Sequence, residues 1–248
     1  MTLLPRAVRA HILLRSFAVQ GSWNYETLIG AGFAYALLPA LRRLYGVDGE
    51  RLDQAVTQHA ELFNSHPYFA TVAIGAVARL EAEKAEPAVI ERFKLALRGS
   101  LGSMGDRLIW TTWRPMALLI GLVLFLAGVA WWIAVAAFLV VYNALHLAVR
   151  IVGFRMGLAT GLDVGRVLRE APLQPVIARA SQVACILVGV AVALAAAPAA
   201  HNLEGLVATA VAIILGLTLG LRTRRAMIVV LATVAVVALA LGMTGYGA

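Results

Sequence analysis

Residues 116–149 carry no formal charge, and this run limits the fold more than any other feature of the chain. Its 34 residues exceed the roughly 20 that one membrane helix needs, and barely suffice for two. Arginine placement decides between one crossing and two. Arg150, Arg155, Arg166, Arg169 and Arg179 follow the run, and Arg107 and Arg114 precede it. Basic residues gather on the cytoplasmic side of membrane spans. Both flanks then belong on that side, so the run is predicted to cross twice. The turn falls near residues 128–132, with Trp131 and Trp132 at the interface. Further spans are predicted at about 180–197, 206–221 and 226–246. Arg222, Arg224 and Arg225 mark a cytoplasmic turn, and the short link at 199–205 is external. Five spans result, with the N-terminus inside and the C-terminus outside.

Composition agrees with a membrane protein. The 248 residues are 61% hydrophobic and only 14% charged, against about 25% charged in soluble domains. Mean hydropathy is +0.85. The net charge of +8 suggests nucleic acid at first sight, but clustering of arginine around apolar runs is accounted for by membrane topology, and no nucleic-acid partner is expected. Residues 1–20 hold Arg6, Arg9 and Arg15 without a long apolar core, unlike a cleaved secretory signal. The one cysteine, Cys185, lies within an apolar run. It can form no internal disulfide and belongs to no Cys/His cluster of the kind that binds zinc.

The chain divides by character into 1–115 and 116–248. The first part holds ten of the thirteen acidic residues and is expected on the cytoplasmic side; the second is transmembrane. Two apolar pieces in the first part, 28–41 and 68–78, are too short to span and read as re-entrant, interfacial or core helices. Residues 49–63 read as an amphipathic helix with Leu52, Val56 and Phe63 on one side. Pro87 opens another that is expected to run to about Arg98, with an apolar stripe of Val89, Ile90, Phe93 and Leu97. Strand periodicity is absent. The fold class is therefore all-α integral membrane protein, with N-terminal amphipathic and re-entrant helices followed by about five transmembrane helices.

At the mouth of the uncharged run, residues 102–115 combine glycines, Asp106, two arginines and two tryptophans. Charge and glycine are costly at membrane depth, which points to a working part. Asp106, Trp110 and Arg114 are four apart and would share one stripe of an α-helix. That stripe could line a polar path or meet a partner. Equally, Asp106 is placed to cap a helix, and Arg114 to snorkel to headgroups with Pro115 in the first turn. Gly99, Gly102 and Gly105 fit a tight re-entrant turn or close helix packing. Asn64 and His66 occupy a turn between helices. Tyr142, Asn143, His146 and Arg150 share one side of the second predicted span, which must face protein or water rather than lipid. Phe33 and Tyr35 near Pro39 suit packing or a sugar-stacking platform.

Several motifs, in order and spacing, resemble the IID component of mannose/fructose/sorbose-type sugar phosphotransferase systems. They are Trp23-Asn24-Tyr25, the Gly30 to Leu41 stretch, Leu44-Tyr45, Phe63-Asn64-Ser65-His66-Pro67-Tyr68, Glu81 to Lys84, Gly105-Asp106 with Trp110, and Arg114-Pro115. Asn143 and the stretch from Gly153 to Gly157 continue the match. The resemblance implies a bacterial inner-membrane, multi-pass, non-catalytic subunit. It would form a sugar translocation unit with a IIC subunit, move a hexose-type sugar, and depend on cytoplasmic IIA/IIB phosphocarrier proteins for phosphate. It implies no metal and no organic cofactor, and the chain shows no Walker loop, HExxH or nucleophile elbow. Asn64, His66, Asp106, Trp110, Arg114, Asn143 and His146 are the candidates for path lining or partner contact. Arg107 stands where the family has a small residue or proline, and His146 where a more basic residue is expected. The part after Gly161 is short beside the family, and this departure with that at Arg107 supplies the alternative reading, an orphan IID-like scaffold or sensor without transport.

Overall fold

The computed structural model describes residues 4–196 and four single positions, Val207, Val211, Ile214 and Thr218. Nine α-helices follow one another among them: α1 Arg6–Ser16, α2 Gly30–Tyr45, α3 Glu50–Ala60, α4 Ala70–Ala82, α5 Pro87–Gly105, α6 Arg114–Leu126, α7 Trp131–Thr160, α8 Val164–Glu170 and α9 Leu173–Ala196. A π-helical segment, Asp106–Trp113, joins α5 to α6, and one 3₁₀ turn, Gly161–Asp163, joins α7 to α8. The only strand-like pairings among the described residues are two isolated bridges, Asn24 with Leu28 and Leu28 with Phe63. The all-α expectation holds there. Two compact units emerge, one of Met1–Arg107 with Ala144–Ala171, the other of Leu108–Asn143 with the residues from Pro172 onward.

The first unit is built around α2, which packs on α1, α3 and α4. Its core holds Ile12, Phe33, Leu37, Leu41, Phe63, Ile74, Ile90 and Leu101, each fully buried. Burying such a side chain contributes about 1.5–3 kcal/mol. The two short apolar pieces become α2 and α4, and α4 is buried along nearly its whole length by protein. The buried face of α3 is Leu52, Ala55 and His59 rather than Leu52, Val56 and Phe63, because the helix ends at Ala60 and Phe63 follows in extended chain. Phe63 instead packs its ring 4.6 Å from that of Phe33.

Where α4 meets α7, the backbones nearly touch. A side chain on Gly157 would overlap the Val72 carbonyl, one on Gly75 the Phe154 carbonyl, and one on Gly153 would come within 2.9 Å of Val72 Cγ2. Glycines four apart, here Gly153 and Gly157, are the usual means of such close approach between membrane helices.

Three cations of this unit end on helix C-termini. Arg150 donates to the Ser16 carbonyl, the last of α1, at 2.7 Å. Lys94 donates to the Gln58 and His59 carbonyls at the end of α3, at 2.9 and 3.5 Å. Arg79 donates to the Ala159 carbonyl near the end of α7. The last carbonyls of a helix have no partner within it and carry partial negative charge, so they serve as counter-charge for a buried cation.

In the second unit α6 packs against α9. A side chain at Gly121 of α6 would meet the Ala134 carbonyl of α7 at 3.1 Å. Leu118, Leu122 and Phe125 of α6, Val135, Leu139 and Val140 of α7, and Val183, Ile186 and Val190 of α9 are exposed. An apolar surface of this kind is what a lipid-facing helix presents. Three stretches are long and apolar enough to cross a membrane: Pro87–Leu126, Trp131–Glu170 and Leu173–Ala195. The break between α6 and α7 falls in the predicted place, with Gly128 at φ +84° and Trp131 and Trp132 exposed just beyond it. The spans predicted at 206–221 and 226–246 lie outside the described residues.

The helix opened by Pro87 differs from expectation. It does not stop near Arg98 and makes no re-entrant turn at the glycines, but runs unbroken into the π-helical segment and α6. Helical hydrogen bonding continues through Gly99, Gly102 and Gly105, and of these only Gly105 is packed where no side chain would fit.

Candidate functional site

Chemistry-bearing side chains of the first unit converge where the turn before α4 meets α7 and the end of α1. Phe63 and Ser65 to Tyr68 are buried, while Asn64 between them is exposed. The turn forms because Pro67 disfavours helix for the residue before it, and α4 starts only at Ala70. His66 is packed tightly: a side chain on Gly105 would overlap its Cβ and Cγ. Two motifs far apart in sequence, Asn64 to Tyr68 and Gly105-Asp106, therefore dock on each other. His66 Nδ1 accepts the Tyr68 backbone N–H at 3.2 Å, and the two rings meet edge to face at 4.9 Å.

Tyr68 in turn stacks on His146 of α7, ring centroids 3.9 Å apart. Arg150, one turn along α7, donates from Nε to His146 Nε2 at 2.7 Å. Its guanidinium lies 4.7 Å from the Phe17 ring and 5.1 Å from the Tyr68 ring. Burial first, then the charges of Arg150 and His146, push the His66 pKa down to about 4. It is neutral at physiological pH. Of the predicted site residues, His66 and His146 are thus joined through Tyr68, and Asn64 is adjacent in chain but turned outward.

The remaining candidates sit differently. Asp106 is exposed and opens the π-helical segment. Trp110 and Arg114 are in contact, the guanidinium 4.6 Å over the indole. The α-helical stripe expected from their spacing is replaced by π-helical winding, with its i→i+5 bonding. Such segments recur at functional sites. Trp113 anchors the segment by donating from its indole to the Val141 carbonyl at 3.0 Å. Asn143 Nδ2 donates to the Leu139 carbonyl of its own helix at 2.8 Å. Phe33 is fully buried in the core, whereas Tyr35 is exposed beneath the Arg15 guanidinium.

A second buried polar group was not anticipated from sequence. His59 Nε2 donates to Glu81 Oε1 at 2.8 Å, and the Tyr45 hydroxyl donates to Glu81 Oε2 at 2.6 Å. Burial pushes the Glu81 carboxyl up, but those two hydrogen bonds and the nearby Lys94 charge outweigh it and hold the group ionised. Burial lowers the His59 pKa, so its ring is neutral, and His59 Nδ1 is buried without a partner among the described residues. Burial and the Glu81 hydrogen bond push Tyr45 up to about 12. The available signal was Lys94, a cation inside the apolar stripe of Ile90, Phe93 and Leu97, which demands a buried acceptor. Among the described residues no three His, Cys, Asp or Glu side chains converge as a metal would require.

Residues 4–198 match the PTS system mannose/fructose/sorbose family IID component. The mannose-specific EIID component of Escherichia coli is 32% identical over 183 residues, 72% of this chain and 64% of that protein. The sorbose-specific EIID component of Klebsiella pneumoniae is 31% identical over 186 residues, 73% of this chain and 67% of that one. This chain therefore spans just under two thirds of the length of the Escherichia coli relative. Among solved structures, a chain of the mannose transporter ManYZ, imaged by cryo-electron microscopy with a microcin, is similar at TM-score 0.60 and 31% identity, covering 76% of this chain and 70% of that one.

Proposed function

This chain belongs to the mannose/fructose/sorbose family of phosphotransferase IID components, and from that premise we propose that it is the IID-type subunit of a bacterial inner-membrane sugar transporter. It docks on a IIC subunit to form the translocation unit for a hexose-type sugar, and cytoplasmic IIA and IIB proteins supply the phosphate. Its own role is scaffold and path lining, without a catalytic residue. Residues 1–115 lie on the cytoplasmic side, and the part from 116 onward crosses the membrane about five times.

The family match over 4–198 carries this reading. The exposed apolar faces of α6, α7 and α9 support it, since only lipid or another membrane protein covers them at low cost. So does the polar group on α7 and the turn before α4, which lipid could not satisfy.

The test is labelled-sugar uptake in cells carrying a IIC subunit of this family with and without this chain, with co-purification of the two proteins. Uptake and co-elution that both depend on this chain are expected. Co-elution without uptake would favour the scaffold reading instead. In the same cells Asp106→Asn and Arg114→Ala are expected to lower uptake about tenfold at unchanged protein level, since each disturbs a polar group at the membrane mouth. Parallel loss of protein and uptake would make both residues structural only.

A further inference from the structure

Only one side of α1 is used by the fold. Ile12 is fully buried where α1 packs on α2 and α4, with Ser16 beside it. On the far side Ala7, Ala10, Leu14 and the capping residue Phe17 are exposed, Leu14 at 66%. Their spacing of three and four makes them one stripe. At about 100° per residue, Arg6 and Arg15 fall roughly a quarter turn to either side of that stripe. Arg15 lies over the exposed Tyr35 ring, 4.7 Å from its centroid. Arg9 is half-buried, its Nε enclosed without a hydrogen-bond partner among the described residues. None of the three arginines joins an ion pair among the described residues, and the first acid of the chain is Glu26.

The loop after α1 adds two aromatic rings. Trp23 and Tyr25 are 47% and 88% exposed and meet edge to face at 4.8 Å. Asn24 between them holds the loop rigid. Its Oδ1 accepts the Glu26 and Thr27 backbone N–H groups at 2.9 and 2.8 Å, and its Nδ2 donates to the Ser22 carbonyl and the Thr27 hydroxyl. The rings are therefore fixed outward, where water solvates them poorly. Tryptophan and tyrosine held at a surface in this way suit the headgroup layer of a bilayer, which takes an apolar ring and a polar tip together.

We propose that α1 is an in-plane lipid contact: its Ala7–Leu14 stripe rests in the headgroup layer of an anionic leaflet, Arg6, Arg9 and Arg15 bind lipid phosphates, and Trp23 and Tyr25 anchor the loop beside it. An apolar stripe between arginines is the pattern of interfacial helices, whose binding combines apolar burial with attraction to anionic lipid. Charge complementarity selects lipid as the occupant. Three unpaired cations need anions along the whole helix, and an anionic leaflet supplies them in any register, whereas a protein would have to match each one. The proposal rests on residues 1–115 lying on the cytoplasmic side, the side of negative surface potential.

The test uses the full chain with Cys185→Ser and one cysteine introduced by Leu14→Cys, Tyr25→Cys or Asp53→Cys. Asp53 is exposed on α3 and serves as the water-facing control. Each variant is labelled with an environment-sensitive fluorophore and reconstituted with a IIC subunit of this family. The vesicles are of phosphatidylcholine alone or mixed with phosphatidylglycerol. At Leu14 and Tyr25, nitroxide lipids should quench about threefold more than at Asp53, and phosphatidylglycerol should raise that quenching about twofold. Replacing Arg6, Arg9 and Arg15 together by glutamine should abolish the rise. If that variant does not accumulate, high salt on the parent protein should do the same by screening. Aqueous iodide quenching Leu14 as strongly as Asp53 overturns the proposal. So does a Leu14 label shielded from both quenchers, which would put the IIC subunit or a second copy on α1. A Tyr25 label open to iodide overturns the part given to the loop, and indifference to phosphatidylglycerol and salt overturns that of the arginines. The labels read lipid contact alone, so a reconstituted chain that moves no sugar would count against the transport reading and not against this one.

Discussion

His59 and His66 are both held neutral, by burial before anything else. Their folded values lie below the ordinary 6.5, so on acidification the unfolded chain binds protons before the folded one does. Stability is then complete above pH 6.5 and is lost as pH falls, for His66 over the window from 6.5 to about 4. Glu81, also held below its ordinary value, extends the loss below pH 4.5. The thermal midpoint of the detergent-purified protein should thus be level near neutrality and drop through this window, and His66→Gln should make the drop shallower. A midpoint that rises on acidification would contradict the burial argument. Glu81→Ala removes the acceptor of both His59 and Tyr45 and should cost about 3 kcal/mol, with Glu81→Gln closer to wild type because its amide oxygen still accepts. Denaturant titration in mild detergent measures both.

At the level of the element, the long helix from Pro87 to Leu126 offers a matched pair of tests. Gly99 has nothing within 4 Å of where a Cβ would stand, while at Gly105 the same atom would overlap His66. Both glycines are helical. Gly99→Ala should therefore stabilise by about 0.5–1 kcal/mol, through helix propensity alone. Gly105→Ala should destabilise by about 1–3 kcal/mol through overpacking. Two substitutions of the same chemistry, six residues apart, would move the thermal midpoint in opposite directions. Equal effects would mean that the turn before α4 is not packed on α5. This contrast also shows why a glycine-rich stretch was a poor guide to backbone direction. Glycine permits a turn but does not demand one, and here α5 uses one glycine for contact and leaves another open.

On the scale of the whole molecule, the balance between buried and exposed apolar surface sets behaviour outside the membrane. Unit one buries α4 almost entirely, whereas α6, α7 and α9 leave large aliphatic side chains uncovered. Expressed without a IIC neighbour, the chain should aggregate in mild detergent or be degraded. Expressed with it, the two should elute together from size exclusion. A monodisperse, long-lived protein that ignores that neighbour would count against the transporter reading. Topology is open to reporter fusions at Gly49 and Gly161, both expected to report the cytoplasm.

Sequence by itself determined the class and the family. An uncharged run of 34 residues without strand periodicity is a helix pattern for lipid, and the order of the Gly30, Phe63, Glu81, Gly105 and Arg114 motifs resembled one family that the matched residues 4–198 then showed. It also located the α6–α7 break, because glycine and paired tryptophans are local signals. It chose His66 and His146 but could not pair them. Their meeting through Tyr68 depends on α7 lying against the turn before α4, a contact across some eighty residues that glycines at 75, 153 and 157 make close. The roles of Arg150, Lys94 and Arg79 as caps on distant helix ends were equally out of reach. Periodicity reports which face of a helix is apolar. Which carbonyl waits at the end of a buried cation is decided only when the helices pack.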